Sequence, residues 1–189
     1  MALVLKHFSE SDELASAVSE NYLQSSPNVQ TYGMIAKSNM EVHMSDKKQG
    51  TVLFLCTGNS ARSQMAEGLL RNMDGHDYEA ISAGLEPNRE VHPLAIRAMA
   101  EIGIDISKQH PKDITKYLGR SMVSYLVIVC DHAAQHCPTV WPGLADRNRL
   151  VWPHEDPAKA EGTEEERLEV FRRVRDELKQ KLREWLESV

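Results

Sequence analysis

A cysteine and an arginine bracket five small or polar residues, and this segment carries the strongest chemical signal in the chain. Cys56 follows an apolar run at residues 51–55, which predicts a strand, and Arg62 precedes a helical pattern at residues 63–70. A loop between a strand and a helix points backbone N–H groups inward, and the helix N-terminus adds about half a positive charge. We therefore expect a tetrahedral oxyanion to bind there, with the Arg62 guanidinium as a planar donor.

Cys56 lies at the base of this predicted loop, where the same donors would stabilise its thiolate. A thiol with an ordinary pKa of about 8.5 is brought well below that value in such surroundings. The sequence thus predicts a thiolate nucleophile directly beneath the centre of a bound oxyanion. The alternative is a buried cysteine at a strand end and an unrelated surface arginine, which the flanking strand and helix patterns disfavour.

Cys130 and Cys137 form a second candidate group, because they flank a six-residue segment and Cys130 ends another apolar run. Three interpretations compete for the pair. The two residues could be inert structural thiols, or they could join His132 or His136 in a zinc site, although the spacing is wider than that of usual ligand pairs. We favour the third interpretation, a redox relay that serves Cys56.

Chain geometry limits how Cys130 and Cys137 can pair. A disulfide needs Cα atoms about 4.4–6.8 Å apart, whereas seven residues span about 10.5 Å as helix and about 23 Å as strand. If residues 131–137 form a short helix when the thiols are reduced, oxidation must unfold them and expose the disulfide to a reductase. Hydrogen exchange on the two redox states tests this hypothesis, and equal protection in both states would rule it out.

Composition limits the class of protein. The chain has 189 residues, 41% of them apolar, which suits one compact domain plus an extension, and its net charge of −6 argues against nucleic acid or an anionic membrane as partner. It has no run of 18 apolar residues and no signal-peptide pattern. Three cysteines without a disulfide framework are typical of the reducing cytoplasm.

The first fifty residues differ from the remainder. We interpret residues 1–50 as a helical N-terminal extension and linker, with a helix at residues 11–23, a weaker one at residues 32–44 and a polar stretch at residues 45–50. No catalytic group is apparent in it. Residues 51–189 are assigned to one catalytic domain.

Strand and helix patterns alternate from residue 51 onward, which predicts a parallel sheet covered on both faces. Further strands are expected at residues 78–82, 125–130 and 149–152, and helices at residues 92–102 and 111–118. A last helix opens at a capping box of Thr163 and Glu166, and its buried stripe comprises Leu168, Phe171, Val174, Leu178 and Leu182, extended by Trp185 or Leu186. Ligands bind such sheets at the carboxyl ends of the strands, where Cys56 and Cys130 both lie.

Four ordered motifs together resemble the thioredoxin-coupled arsenate reductases, which have the low-molecular-weight protein tyrosine phosphatase fold. The motifs are CTGNSARSQMAEG at residues 56–68, SAG at residues 82–84, Cys130-x6-Cys137-Pro138, and DPA at residues 156–158. The resemblance runs from about residue 51 to the C-terminus. It implies an α/β fold with a four-stranded parallel sheet and helices on both faces.

The resemblance also implies residue roles. Cys56 would attack arsenate, Asp156 would protonate the departing oxygen, and the Ser63 hydroxyl would steady the thiolate. The arsenate oxygens would be bound by the loop, that is by Thr57, Gly58, Asn59, Ser60, Ala61, Arg62 and Ser63. Cys130 would then release arsenite by forming a disulfide with Cys56, and Cys137 would form the disulfide with Cys130 that thioredoxin reduces. No tightly bound cofactor or metal is implied.

Two other functions remain open at this stage. A tyrosine phosphatase of the same fold would share the loop and Asp156, but such enzymes usually carry aromatic residues after Asp-Pro, where this chain has Ala158-Lys159-Ala160-Glu161-Gly162. A non-catalytic protein that binds arsenite or zinc through its thiols would leave Arg62 and Asp156 without a role. Glu155 competes with Asp156 for the role of acid, a glutaredoxin-like partner could replace thioredoxin, and the oligomeric state is open.

Overall fold

The computed structural model describes residues 49–137 and 141–189. The helices expected at residues 11–23 and 32–44, and nearly all of the linker, lie outside the described residues, and so does Pro138. The division of the chain near residue 50 therefore stays a prediction.

Four parallel strands form one sheet in the described part of the chain, as the sequence predicts. They are β1 (Gly50–Cys56), β2 (Tyr78–Gly84), β3 (Tyr125–Ile128) and β4 (Arg149–Val151), in the order β2-β1-β3-β4. In this register Cys56 lies beside Gly84 on one neighbour, and Leu55 lies beside Ile128 on the other. The carboxyl end of β1 is thus the centre of the sheet edge at which ligands are expected.

Residues 52–55 of β1 are completely buried. Because consecutive side chains of a strand point to opposite faces, both faces of the central strand are covered. This explains why β1 reads as a continuous apolar run instead of an alternating one.

The described residues form four α-helices beside this sheet: α1 (Arg62–Asp74), α2 (Pro93–Ala100), α3 (Asp131–His136) and α4 (Glu164–Leu186). The capping box predicted for α4 is present, because the Thr163 side chain accepts from the Glu166 N–H while the Glu166 carboxylate accepts from the Thr163 N–H. The predicted stripe of α4 is buried, with Trp185 at its end and Leu186 only partly covered. None of the described helices is long and apolar enough to cross a membrane.

The helix predicted at residues 111–118 is wrong. Only a single 3₁₀ turn, Ile114–Lys116, forms there. Gly84 pairs with Asp113 and donates its N–H to the Lys112 carbonyl at 2.8 Å, which holds this segment extended along the end of β2. The Asp113 side chain then accepts from the Thr115 N–H and caps the short turn. Tertiary pairing therefore overrides the local signal of Pro111.

Candidate active site

The loop between β1 and α1 encloses a small cavity at the sheet edge. Cys56 is the last residue of β1 and Arg62 the first of α1, as the sequence predicts. The cavity holds about 220 Å³, which is enough for a small oxyanion and too little for a large organic group. Its lining comprises Cys56, Thr57, Gly58, Ser60, Ala61, Arg62, Glu86, Asn88, Asp156 and Ala158.

The Cys56 sulfur is buried and lies among hydrogen-bond donors. It lies 2.9 Å from the Ser63 hydroxyl and 3.1 Å from the Asn59 backbone N–H. Burial nevertheless raises the pKa of the Cys56 thiol, and this exceeds the lowering by the Ser63 hydrogen bond, the Arg62 charge and the Asn59 N–H. The expectation of a lowered pKa is thus wrong, because the sequence pattern reveals the donors but not the desolvation.

Asn59 organises the loop from beneath. Its φ of +46° lies in the left-handed region, which asparagine tolerates better than most residues. Its side-chain amide donates to Ser63 at 2.8 Å and to Ser82 at 2.9 Å, and its side-chain oxygen accepts from the Lys112 N–H at 2.7 Å. Asn59 and Ser63 therefore support the nucleophile from below and do not line the cavity.

A buried ion cluster lies behind this network. Glu67, on α1, accepts a hydrogen bond from the Ser82 hydroxyl. It also forms ion pairs with Arg71 at 2.5 Å and Lys112 at 3.2 Å. A buried carboxylate is costly unless it is paired. The two cations allow Glu67 to hold Ser82, which in turn fixes the Asn59 amide.

Gly84 and Asn88 complete the loop from its other side, and sequence reasoning did not identify Asn88. A Cβ on Gly84 would lie 2.6 Å from the Thr57 carbonyl oxygen, so only glycine allows the end of β2 to lie this close to the loop. The Asn88 backbone N–H donates to the Gly58 carbonyl, and its side-chain amide donates to the Ser60 hydroxyl, both at 2.8 Å. No local pattern marks an asparagine 30 residues away as a support of this loop.

Arg62 and Asp156 both line the cavity and form an ion pair there. One guanidinium nitrogen lies 3.1 Å from an Asp156 carboxylate oxygen, and another donates to the His154 carbonyl at 3.0 Å. The buried Arg62 Nε has no hydrogen-bond partner among the described residues. Glu155, the competing acid, forms an exposed ion pair with Arg173. The structure thus places Asp156, and not Glu155, at the cavity.

Cys130 and Cys137 cap the two ends of α3. The Cys130 sulfur accepts from the Ala133 N–H at 3.4 Å, and the Cys137 N–H donates to the Ala133 carbonyl at 2.8 Å. Both side chains are buried, and burial raises the pKa of the Cys137 thiol while nearby Arg149 lowers it. All three cysteines are thiols. Because α3 separates its two caps by about 10 Å, they cannot form a disulfide in this conformation.

The second cysteine lies beside the anion loop. The Cys130 sulfur is 3.5 Å from the Thr57 hydroxyl, and the proximity of Cys130 is among the influences that raise the pKa of Cys56. Cys130 is thus within reach of chemistry at the loop. No group of three or more His, Cys, Asp or Glu side chains suited to a metal occurs within residues 49–137 and 141–189. The zinc interpretation therefore has no ligand set in this part of the chain.

Comparison with known proteins identifies a matching family and several relatives. A family model described as low molecular weight phosphotyrosine protein phosphatase matches residues 51–189. An arsenate reductase of Halalkalibacterium halodurans is 45% identical over 137 residues, which are 72% of this chain and 95% of the relative. A solved structure of an arsenate reductase in the phosphate binding state is 32% identical with a TM-score of 0.60, over 74% of this chain and 98% of its own.

A tyrosine phosphatase, Wzb of Escherichia coli K30 in complex with sulphate, also superposes on this chain. Its TM-score is 0.61 at 22% identity, over 74% of this chain and 97% of its own. At this identity the likeness shows the fold alone.

Proposed function

Since the chain belongs to the low molecular weight phosphotyrosine protein phosphatase family, we propose that it reduces arsenate to arsenite through Cys56, Cys130 and Cys137. One observation carries the choice of reaction. The Cys130 thiol lies at the anion loop, and Cys137 lies at the other end of the short helix that Cys130 begins. Hydrolysis of a phosphate ester has no use for this pair. A two-electron reduction needs one thiol beyond the nucleophile, and a third thiol can move the resulting disulfide away from Cys56.

Arsenate would bind in the cavity above Cys56. The loop N–H groups and the N-terminus of α1 favour an anion, and the unpartnered Arg62 Nε supplies a further donor. Ala158 lines the cavity where a phosphatase would carry an aromatic residue. The small volume and the missing aromatic favour a free tetrahedral oxyanion over a phosphotyrosine side chain.

The first step would join sulfur to arsenic. Since burial raises the pKa of Cys56, its proton passes to the bound arsenate dianion, the strongest base in the cavity. The oxyanion displaces Asp156 from Arg62, and the released carboxylate takes up a proton from solvent. The sulfur then attacks arsenic, one As–O bond breaks, and Asp156 donates that proton to the departing oxygen, which leaves as water. Ser63 and the Asn59 N–H stabilise the negative sulfur meanwhile.

Two thiol exchanges would follow. Cys130 attacks the Cys56 sulfur, the S–As electron pair stays on arsenic, and arsenic(V) leaves as arsenic(III) in arsenite. Cys137 then attacks Cys130, restores the Cys56 thiol, and leaves a Cys130–Cys137 disulfide. Because α3 holds these residues about 10 Å apart, it must unwind in this step. The exposed disulfide is a substrate for an external dithiol, for which we propose thioredoxin in a reducing cytoplasm.

The test is arsenate-dependent oxidation of NADPH in the presence of thioredoxin and thioredoxin reductase, with hydrolysis of an aryl phosphate assayed in parallel. We expect sustained NADPH oxidation with arsenate and only weak ester hydrolysis. Turnover with glutaredoxin and a low-molecular-weight thiol, but not with thioredoxin, would keep the relay and change the reductant. Rapid ester hydrolysis without arsenate-dependent NADPH oxidation would show that the protein is a phosphatase.

A further inference from the structure

A histidine on α3 contacts the loop hydroxyl that lies next to the second cysteine. The His132 Nδ1 atom is 3.3 Å from the Thr57 hydroxyl oxygen, and the same oxygen is 3.5 Å from the Cys130 sulfur. A hydroxyl group donates one hydrogen bond and accepts others. Thr57 can therefore accept from the Cys130 thiol while it donates to an unprotonated His132 Nδ1.

We propose that His132 is a positioning residue for the relay, which takes up the Cys130 proton through the Thr57 hydroxyl when Cys130 attacks Cys56. This inference rests on the proposed function, since Cys130 has no task in ester hydrolysis. A thiolate is the reactive form of cysteine, and Cys130 is buried with its sulfur 3.5 Å from the hydroxyl of Thr57, the residue after Cys56. The arrangement supplies an acceptor for its proton at the moment of attack.

The Cys130 S–H proton moves to the Thr57 oxygen as the Thr57 hydroxyl proton moves to His132 Nδ1, which becomes imidazolium. The Cys130 sulfur bonds to the Cys56 sulfur, the S–As bond breaks, and its electron pair reduces arsenic(V) to arsenic(III). The imidazolium later returns its proton to solvent, because the His132 side chain is exposed.

His136 lies one turn further along α3. The two imidazole rings stack with centroids 4.2 Å apart, and the His136 Nδ1–H donates to the His132 carbonyl at 2.8 Å. In the described part of the chain the His136 ring has no hydrogen bond to Thr57, so His136 serves as a matched control.

Other charged groups surround this arrangement. Asp131 and His136 lie on α3, and Arg62, Glu86 and Asp156 lie around the cavity that Thr57 also lines. Unwinding of α3 in the next exchange would carry His132 away from Thr57. The proton path would thus exist only before the Cys130–Cys137 disulfide forms.

The experiment measures arsenite release in a single turnover by rapid quench, in a Cys137→Ser background, between pH 5.5 and 8.5. The test variant is His132→Asn, because an asparagine amide occupies the Nδ1 position but cannot take up a proton. We expect its release rate at pH 7.5 to fall about 10- to 100-fold, a range at the low end of general-base effects. We also expect the parent's rate to rise with pH and this rise to be lost in His132→Asn. His136→Asn should keep the rate and pH profile of the parent.

Three outcomes would overturn the inference. An unaltered rate and pH profile in His132→Asn, with arsenite released by the parent, would exclude the proton path and leave the proposed function standing. Weaker binding of inorganic phosphate by His132→Asn, in proportion to its slower release, would show a structural role instead. If the parent releases no arsenite, the proposed function is wrong and the inference is wrong with it.

Discussion

Replacing Asp156 by asparagine should separate anion binding from chemistry. The Asp156 carboxylate lies 3.1 Å from the Arg62 guanidinium, so a bound oxyanion competes with it for that donor. Two unit charges about 4 Å apart interact by about 4 kcal/mol at an effective dielectric constant of about 20. Because 29% of the Asp156 side chain is exposed, solvent screening reduces the net value to about 1–2 kcal/mol.

Asp156→Asn removes this competitor and also a negative charge at the cavity. We therefore expect inorganic phosphate to bind about 5- to 30-fold more tightly, the factor that corresponds to 1–2 kcal/mol. The same change removes the proton donor for the departing oxygen, so the rate of the first chemical step should fall about 10²–10⁴-fold. Tighter phosphate binding together with a slower first chemical step would show that Asp156 both competes for Arg62 and donates the proton.

Titration calorimetry with phosphate at fixed ionic strength gives the affinity, and rapid-quench formation of the arsenic adduct gives the rate. Glu155→Gln is the matched control, since it removes the neighbouring carboxylate, which pairs with Arg173 on the exposed surface. Equal tightening in both variants would show that only net charge matters. An unchanged rate in Asp156→Asn would refute the role of Asp156 as acid.

Three further outcomes are expected. Cys137→Ser should release one equivalent of arsenite per chain and then stop with Cys56 and Cys130 joined, and repeated turnover with thioredoxin alone would refute the relay. Gly84→Ala should lower the free energy of unfolding by about 1–3 kcal/mol, the usual cost of overpacking, and should weaken phosphate binding. Chemical denaturation measures the first effect and calorimetry the second, and unchanged values would refute the role of Gly84 in supporting the loop. Since burial raises the pKa of the Cys56 and Cys137 thiols above its ordinary value, the folded state keeps protons that the unfolded chain loses, and stability should fall as the pH rises above about 8.5. Thermal denaturation at pH 7 and 10 measures this, and Cys56→Ser should reduce the loss.

The strongly patterned elements of the fold could be predicted from the sequence. The apolar run of β1 and the capping box with the stripe of α4 have local signatures of period and composition, and the structure confirms both. The segment at residues 111–118 could not be predicted, because its conformation depends on pairing between Asp113 and Gly84. Proline near a helical pattern is a local signal, and here the contact with the end of β2 determines the conformation instead.

The site was predictable in part for the same reason. Cys56 and Arg62 are close in sequence, so their spacing reveals the loop, and the two cysteines of α3 mark both of its ends. The support from Asn88 and Lys112 arises from distant segments that meet only in the fold. The raised pKa of Cys56 depends on how completely the sulfur is buried, a quantity that a motif does not encode. The choice of Asp156 over Glu155 likewise needed the positions of Arg62 and Arg173.

The central claim is that three sulfurs pass two electrons in a fixed order, and disulfide mapping tests it most directly. Reduced protein is treated with one equivalent of arsenate, alkylated, digested and analysed by mass spectrometry. We predict a Cys130–Cys137 disulfide in the unaltered chain and a Cys56–Cys130 disulfide in Cys137→Ser. Recovery of Cys130 and Cys137 as alkylated thiols after arsenite has formed would contradict the account.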